Sequence, residues 1–238
     1  MGEDLMAVEF QDATVANTAG TTMTVPLPNR DSNSLLMLII YTQSGTAAPD
    51  SLGNWTLVLD ETSGRRCRVY TRWGDEVGTT RIIATEAGDH RAALLVFSGV
   101  SRLRPVHDTA WLGKSLDSGV TFHEAPWLPG GAPVGSMIVR TAYSFGPSNT
   151  RTWTWPSVYD KRVDHIAGSG SVASMTVATH THESETGGVP AALATYSRAG
   201  GAQGCATIAL TPSISRLHLG SRPAALMLGD REVEILGG

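Results

Sequence analysis

The chain has 238 residues, of which 41% are hydrophobic and 17% charged, and its 18 basic and 22 acidic residues give a net charge of −4. This balance excludes a generally cationic nucleic-acid binder, because phosphate neutralisation requires clustered Lys and Arg, and the apolar content argues against disorder. The longest apolar run, residues 35–41, is far shorter than the roughly 20 residues of a transmembrane helix. We therefore expect neither a nucleic-acid nor a membrane partner.

Short runs of β-branched and aromatic residues recur along the chain, separated by turns rich in Gly and Pro, and a helical period is nearly absent. This pattern predicts an all-β fold, specifically a jelly-roll-like antiparallel β-sandwich with a small C-terminal β appendage. In chain order the predicted strands are residues 7–12, 21–27, 35–42, 55–60, 66–73, 80–85, 92–100, 118–124, 136–144, 152–155, 172–181, 191–196 and 205–211.

Three of these strands carry further information in their side-chain pattern. Residues 35–41 and 92–97 are apolar on both faces, which predicts central strands covered on both sides. In residues 66–72 apolar positions alternate with Arg and Tyr, so this strand is predicted to expose one face.

An internal repeat relates two segments, at about 35–100 and 136–211. In each segment an apolar strand leads to a Trp-Thr strand, then to an alternating strand, and then to a hairpin that ends on an apolar strand. We interpret them as two similar antiparallel units, packed either as two sheets of one sandwich or as two halves of one barrel-like core. The link at 101–135 would be a long crossover, and residues 1–213 would form one domain.

The last 25 residues contain two copies of an L-x-L-G-[SD]-R unit, which start at Leu217 and Leu226. Each copy predicts a short strand followed by a turn, so residues 214–238 are expected to form the β appendage. Because so small a piece cannot bury a core alone, we expect it to dock by one apolar face as an assembly contact. The predicted contact residues are Leu217, Leu219, Leu226, Leu228, Val233 and Ile235.

The best metal-like feature is His180 and His182, because residues two apart on a strand share a face and both imidazoles could reach one ion. A third ligand would have to come from His165, Glu183 or Glu185. The alternative is a polar strand end, and we expect no metal and no cofactor. The chain lacks a G-x-S-x-G elbow and nucleotide-binding loops, so we expect no enzymatic activity.

Trp153 and Trp155 would likewise share one strand face, where they could stack on a sugar ring or fill the core or an inter-subunit contact. The arginines at 65, 66, 68 and 72 are interpreted as a solvated strand face, with a subunit contact as the alternative. Cys67 and Cys205 are either two buried free thiols or one bridge.

The strand segments VEF, TMTVPLP and NSLLMLIIYT, the stretch FSGV-x-x-x-x-PVHD at residues 97–108 and the tail LHLGSRPAALMLGDREV carry a family resemblance. Together they resemble β-sandwich virion proteins of tailed bacteriophages, in particular minor tail proteins of phages of high-GC, actinobacterial hosts.

The resemblance implies a structural protein of the virion without catalytic residues. The first residues do not show the pattern of a secretory signal, so we expect the protein to be assembled in the host cytoplasm. Its partners would be further copies of itself, in a symmetric homo-oligomer, and other phage proteins. The alternatives are a capsid decoration protein, or a carbohydrate-binding adhesin whose exposed tryptophans bind a host-surface glycan.

Overall fold

The computed structural model describes residues 3–51, 54–61, 66–74, 80–114, 120–145, 152–166, 173–184, 188–200, 203–217, 226–228 and 231–233. These residues form antiparallel sheets packed on one another, which confirms the predicted all-β sandwich. The described part of the chain contains no helix long and apolar enough to cross a membrane.

The strands are numbered here in chain order. They are β1 (Glu3–Met6), β2 (Glu9–Thr18), β3 (Thr22–Val25), β4 (Leu35–Thr42), β5 (Ala47–Pro49), β6 (Thr56–Glu61), β7 (Arg66–Trp73), β8 (Thr80–Ala84), β9 (His90–Ser98), β10 (Val106–Lys114), β11 (Val120–Ala125), β12 (Met137–Phe145), β13 (Trp153–Thr154), β14 (Asp160–Ile166), β15 (Ala173–Thr181), β16 (Ala192–Gly200), β17 (Gln203–Leu210), β18 (Ser213–Leu217), β19 (Leu226–Leu228) and β20 (Arg231–Val233).

The sheet order shows that the fold is duplicated. Strands β2–β9, the first copy, form a five-stranded sheet in the order β2-β9-β4-β7-β6 and a three-stranded sheet in the order β3-β8-β5. Strands β10–β17, the second copy, form sheets in the orders β10-β17-β12-β15-β14 and β11-β16-β13. Adding eight to each strand number converts one copy into the other. The five-stranded sheets are called inner sheets below, and the three-stranded sheets outer sheets.

The strand pairing within a copy can be compared with that of a jelly roll, which has eight strands in two sheets. In both copies the first strand pairs with the eighth, the second with the seventh and the third with the sixth. A jelly roll also pairs the fourth strand with the fifth, whereas here the fifth strand pairs with the sixth and thereby enlarges the inner sheet.

Local irregularities recur at equivalent positions of the two copies. The register between β2 and β9 shifts just before Asp12, and the register between β10 and β17 shifts just before Asp108. Both carboxylates accept a hydrogen bond of 2.8 Å from the backbone N–H of the next residue. Since β-bulges are specific features rather than defects, their recurrence supports a duplicated unit.

The two inner sheets pack face to face, so that the layers follow the order outer, inner, inner, outer. Strand β2 lies against β14, and β6 lies against β10. Because β2 is equivalent to β10 and β6 to β14, these two contacts are equivalent to each other. The two copies are therefore related by a pseudo-twofold axis. Tyr41 and Tyr143, at equivalent positions, stack across this interface with ring centroids 5.0 Å apart and planes 12° apart.

This layering explains the strands that are apolar on both faces. All eight residues of β4 are buried, as are the first eight of β9. Leu35, Met37 and Ile39 lie in the core between the inner sheets, and Leu36 and Leu38 lie in the core below the first outer sheet.

The structure corrects two parts of the sequence interpretation. The segment 101–135 is not a plain crossover, because it contains β10 and β11, the first two strands of the second copy. The copies span residues 9–98 and 106–210, so both begin upstream of the repeat seen in the sequence. Each copy is also a complete two-sheet sandwich, rather than a single sheet or half of a barrel.

The N-terminal strand β1 pairs with a strand that follows the second copy. Strand β1 pairs with β18, from Glu3 opposite Leu217 to Met6 opposite Ser213, and this two-stranded pair joins neither sandwich. The predicted appendage therefore begins within a strand that pairs with the N-terminal residues. Further along, β19 and β20 form a two-stranded antiparallel pair.

Candidate functional site

Trp153 and Trp155 share one face, but it is the inward one, so the sugar-stacking alternative is wrong for these two residues. Trp153 is 1% exposed and Trp155 is 7% exposed. Their indole Nε1 atoms donate hydrogen bonds to Ser174 Oγ at 3.1 Å and to Thr176 Oγ1 at 3.0 Å. Neither ring offers an open face to a ligand, and both hold the second outer sheet to its inner sheet.

A buried aromatic cluster surrounds Trp153. The rings of Trp153 and Tyr196 stack at 4.4 Å, and the His123 ring lies 4.8 Å from Trp153. Ser174 Oγ, which accepts from Trp153, donates to Tyr196 Oη at 2.8 Å. By strand register, the equivalents in the first copy are aliphatic: Met23 for His123, Ala47 for Trp153 and Ala84 for Tyr196.

Arg140 is fully buried at the edge of this cluster. Its guanidinium donates to Ala125 O at 3.1 Å and to Pro190 O, and it lies 5.1 Å from the Tyr159 ring centroid. Burial lowers the pKa of Arg140 from its usual value. Because its partners are backbone carbonyls and an aromatic ring, its role is to hold neighbouring segments together rather than to bind an anion.

His180 and His182 do not form a recognisable metal site. The His180 ring packs edge-on against Tyr159 at 5.3 Å, while His182 is 7% exposed and exchanges backbone hydrogen bonds with Gly135 and Ser136. The pKa of His182 is lowered, mainly by burial and secondarily by His180. Within the described residues no three His, Cys, Asp or Glu side chains cluster as metal ligands; Glu185 lies outside those residues.

The arginines of β7 lie half-buried on the face of that strand directed away from the inter-copy core. Arg68 makes two hydrogen bonds with Asp60, at 2.8 and 3.2 Å, and Arg72 lies 4.6 Å from the Trp55 ring centroid. Tyr70, on the same face, is buried in the core below the first outer sheet, so this face is only partly solvated and not exposed as the alternation predicted. The arginine at position 65 lies outside the described residues.

Neither Cys67 nor Cys205 forms a disulfide bond, and both are buried. Cys67 belongs to the core between the inner sheets, whereas Cys205 packs in the core under the second outer sheet. Burial raises the pKa of the Cys67 thiol well above its usual value. The alternative of two buried free thiols therefore fits the structure, and the bridge does not.

The exposed aromatic residues are ones that the sequence interpretation did not select. Trp127 is 55% exposed and Phe122 is 52% exposed, and Leu193 on the neighbouring strand is 49% exposed. All three belong to the outer sheet of the second copy or follow directly from it. Buried and exposed residues alternate in β11 and β16, and this alternation could have indicated from the sequence that Phe122 and Leu193 are exposed.

Four of the six predicted assembly residues of the tail fall in three strands. Leu217 ends β18, Leu226 and Leu228 belong to β19, and Val233 ends β20, where it pairs with Leu226. Leu219 and Ile235 lie outside the described residues. The docking role of this tail stays a prediction.

Comparison with protein-family models, with curated proteins and with solved structures found no match.

Proposed function

We propose that the protein is a structural component of a tailed-bacteriophage particle, namely a minor tail protein that acts by self-assembly and by contacts with other virion proteins. In this proposal it has no catalytic activity and takes no cofactor. Its location is the virion, after assembly in the host cytoplasm.

Support comes first from where the most characteristic stretch of the resemblance lies. Residues 97–108 join the two copies, and their backbone is tied to the end of the second copy. Ser101 N donates to Thr211 O at 2.9 Å, Thr211 N donates to Pro105 O at 3.0 Å, and Ser213 N donates to Gly99 O at 2.7 Å. The stretch thus has a definite architectural role at the joint, as expected for a structural motif.

The observation that carries the proposal is the strand pair β1–β18, together with the β19–β20 pair that follows it. Both are two-stranded and stand outside the two sandwiches. Isolated two-stranded pairs are at best marginally stable in water, so a partner that covers them would stabilise them. We assign that role to another copy of the chain, in a symmetric homo-oligomer, and to neighbouring virion proteins.

The test uses particles of the phage that carries this gene, purified through a density gradient. Mass spectrometry should detect the chain in the particles, and immunogold electron microscopy with an antibody against it should label the tail. Label on the capsid would favour a decoration protein instead. Absence of the chain from washed particles would overturn the proposal.

A further inference from the structure

Trp127 is an exposed indole held in a fixed position. It follows β11 and is 55% exposed, yet its ring edge rests on the backbone of Gly188. A Cβ at position 188 would collide with Trp127 Nε1 and would lie 2.8 Å from Leu128 O. Leu128 in turn exchanges backbone hydrogen bonds with Val189 at 3.0 and 3.1 Å. The indole is therefore seated on a paired backbone segment while half of its surface stays open to solvent.

The sheet face beside Trp127 carries further apolar groups separated by polar ones. Phe122 and Glu124 point outward from β11, and Leu193 and Thr195 point outward from β16. Phe122 pairs with Thr195 and Glu124 with Leu193, so Phe122 and Leu193 are diagonal neighbours. We call these four residues and Trp127 the second outer face.

The first copy supplies an internal comparison for this face. By register, Thr22 stands in place of Phe122, Thr24 in place of Glu124 and Arg81 in place of Leu193. The same outer sheet therefore folds in the first copy with polar residues at these three positions, while the half-buried Ile83 stands in place of Thr195. The exposed Phe122 and Leu193 of the second copy are therefore not required by the fold, and neighbouring exposed apolar groups of this kind are a candidate interaction site.

We infer that the second outer face binds a neutral oligosaccharide. Flat aromatic rings take up the C–H faces of sugar rings, and two exposed rings are offered here, by Phe122 on β11 and by Trp127 two residues after the end of that strand. On the same sheet face as Phe122, the Glu124 carboxylate and the Thr195 hydroxyl supply the acceptors and donor that sugar hydroxyls need. A protein partner would favour a contiguous apolar centre over rings separated by polar groups.

Charge restricts the class of sugar. Among the described side chains of this face the carboxylate of Glu124 is the one charge, and the whole chain carries a net charge of −4. Sialylated, sulfated or uronic acid glycans would meet a like charge here, which weakens binding. The inference goes beyond the proposed function and does not depend on it, since particle incorporation and glycan binding are measured separately.

The test screens the whole chain on an array that presents neutral oligosaccharides, such as chitotetraose, mannotriose and galactotriose, beside sialyllactose and sulfated glycans. Calorimetry then measures affinity for the best neutral probe. Trp127→Ala should weaken binding at least about tenfold, as for other tryptophans at interface centres, whereas Trp127→Phe should retain most of it. The matched control is Leu103→Ala, which removes an 82% exposed apolar side chain from elsewhere on the surface.

Three outcomes would overturn the inference. The wild-type chain could bind no neutral probe, or bind acidic probes alone. Trp127→Ala could bind as tightly as wild type while circular dichroism shows it to be folded. Light scattering could show that Trp127→Ala dissociates an oligomer that binds no glycan, which would make the face a contact between copies of the chain.

Discussion

Replacing Gly204 with alanine adds one methyl group at the interface between the two inner sheets. A Cβ at this position would collide with Cη2 of Trp111 and would lie 2.9 Å from Cζ2 of the same ring. Trp111 itself lies 6.1 Å from the Tyr41 ring, so the indole cannot move away without disturbing the aromatic stack on the pseudo-twofold axis.

The expected loss of stability follows from two opposing terms. Overpacking a dense core typically costs about 1–3 kcal/mol, while replacing a glycine within a strand by alanine recovers about 0.5–1 kcal/mol of chain entropy. Because the obstructing atoms belong to a rigid ring, we expect a net loss of about 1–2 kcal/mol. For a chain of this size that corresponds to a decrease in Tm of about 2–8 °C.

Equilibrium unfolding in guanidinium chloride, followed by far-UV circular dichroism, measures this loss without using Trp111 as the reporter. Gly20→Ala is the matched control, because a Cβ there meets its nearest neighbour, Thr18 Oγ1, at 3.5 Å. Its effect should stay within about 0.5 kcal/mol.

The decisive comparison repeats Gly204→Ala in a Trp111→Val background, since Val15 occupies the position of Trp111 in the first copy. With the ring removed, the added methyl group should cost little, which gives a coupling energy of about 1 kcal/mol or more. An equal loss in both backgrounds, or no loss in the wild-type background, would refute the steric argument.

Three further predictions concern the tail, acid stability and the thiols. Truncation after Leu217 keeps β18 paired with β1 and should therefore leave Tm unchanged. It should abolish self-association in light scattering, because it removes apolar residues that each contribute about 1.5–3 kcal/mol when buried. Unchanged assembly would contradict the docking role. Burial lowers the pKa values of His90 and His182. Below about pH 6.5 the unfolded chain therefore binds more protons than the folded one, and the free energy of unfolding should fall as pH falls. His90→Gln should flatten this pH dependence, and an unaltered pH profile of the variant would contradict the assignment to His90. The native protein should react with Ellman's reagent at neither Cys67 nor Cys205, both of which are buried, and at both after unfolding; rapid reaction of either native thiol would show that it is accessible.

The fold class and the central strands could be predicted from the sequence, because burial on both faces requires unbroken apolar runs. The bounds of β4 agree with the prediction for this reason, and those of β7 agree because apolar residues alternate there with Arg and Tyr. Strands β10 and β14 were not predicted, although the sequence indicated a strand at each of the equivalent edge strands β2 and β6. In β10 and β14, polar residues such as Asp108 and Asp164 hide the alternation expected of a strand.

The candidate site was harder to predict because a period of two shows which residues share a face, but not which face is buried. For Trp153 and Trp155 the sequence indicated a shared face, but it did not show that this face is buried. The repeat was also misaligned at this point: the Trp-Thr pair of the first copy leads into inner strand β6, whereas Trp153 lies in outer strand β13. By strand register, the residue of the second copy that is equivalent to Trp55 is Tyr159.

The four-layer order also limits where a duplicated chain can specialise. A substitution in an inner sheet disturbs the packing on both faces of that sheet. Near Tyr41 or Tyr143 it also disturbs the packing of the other copy. The outer sheets are free of this double constraint on their solvent side, and they lie at opposite ends of the stack. Duplication of this unit therefore leaves two remote surfaces that can change independently while the joined interior keeps them at a fixed spacing.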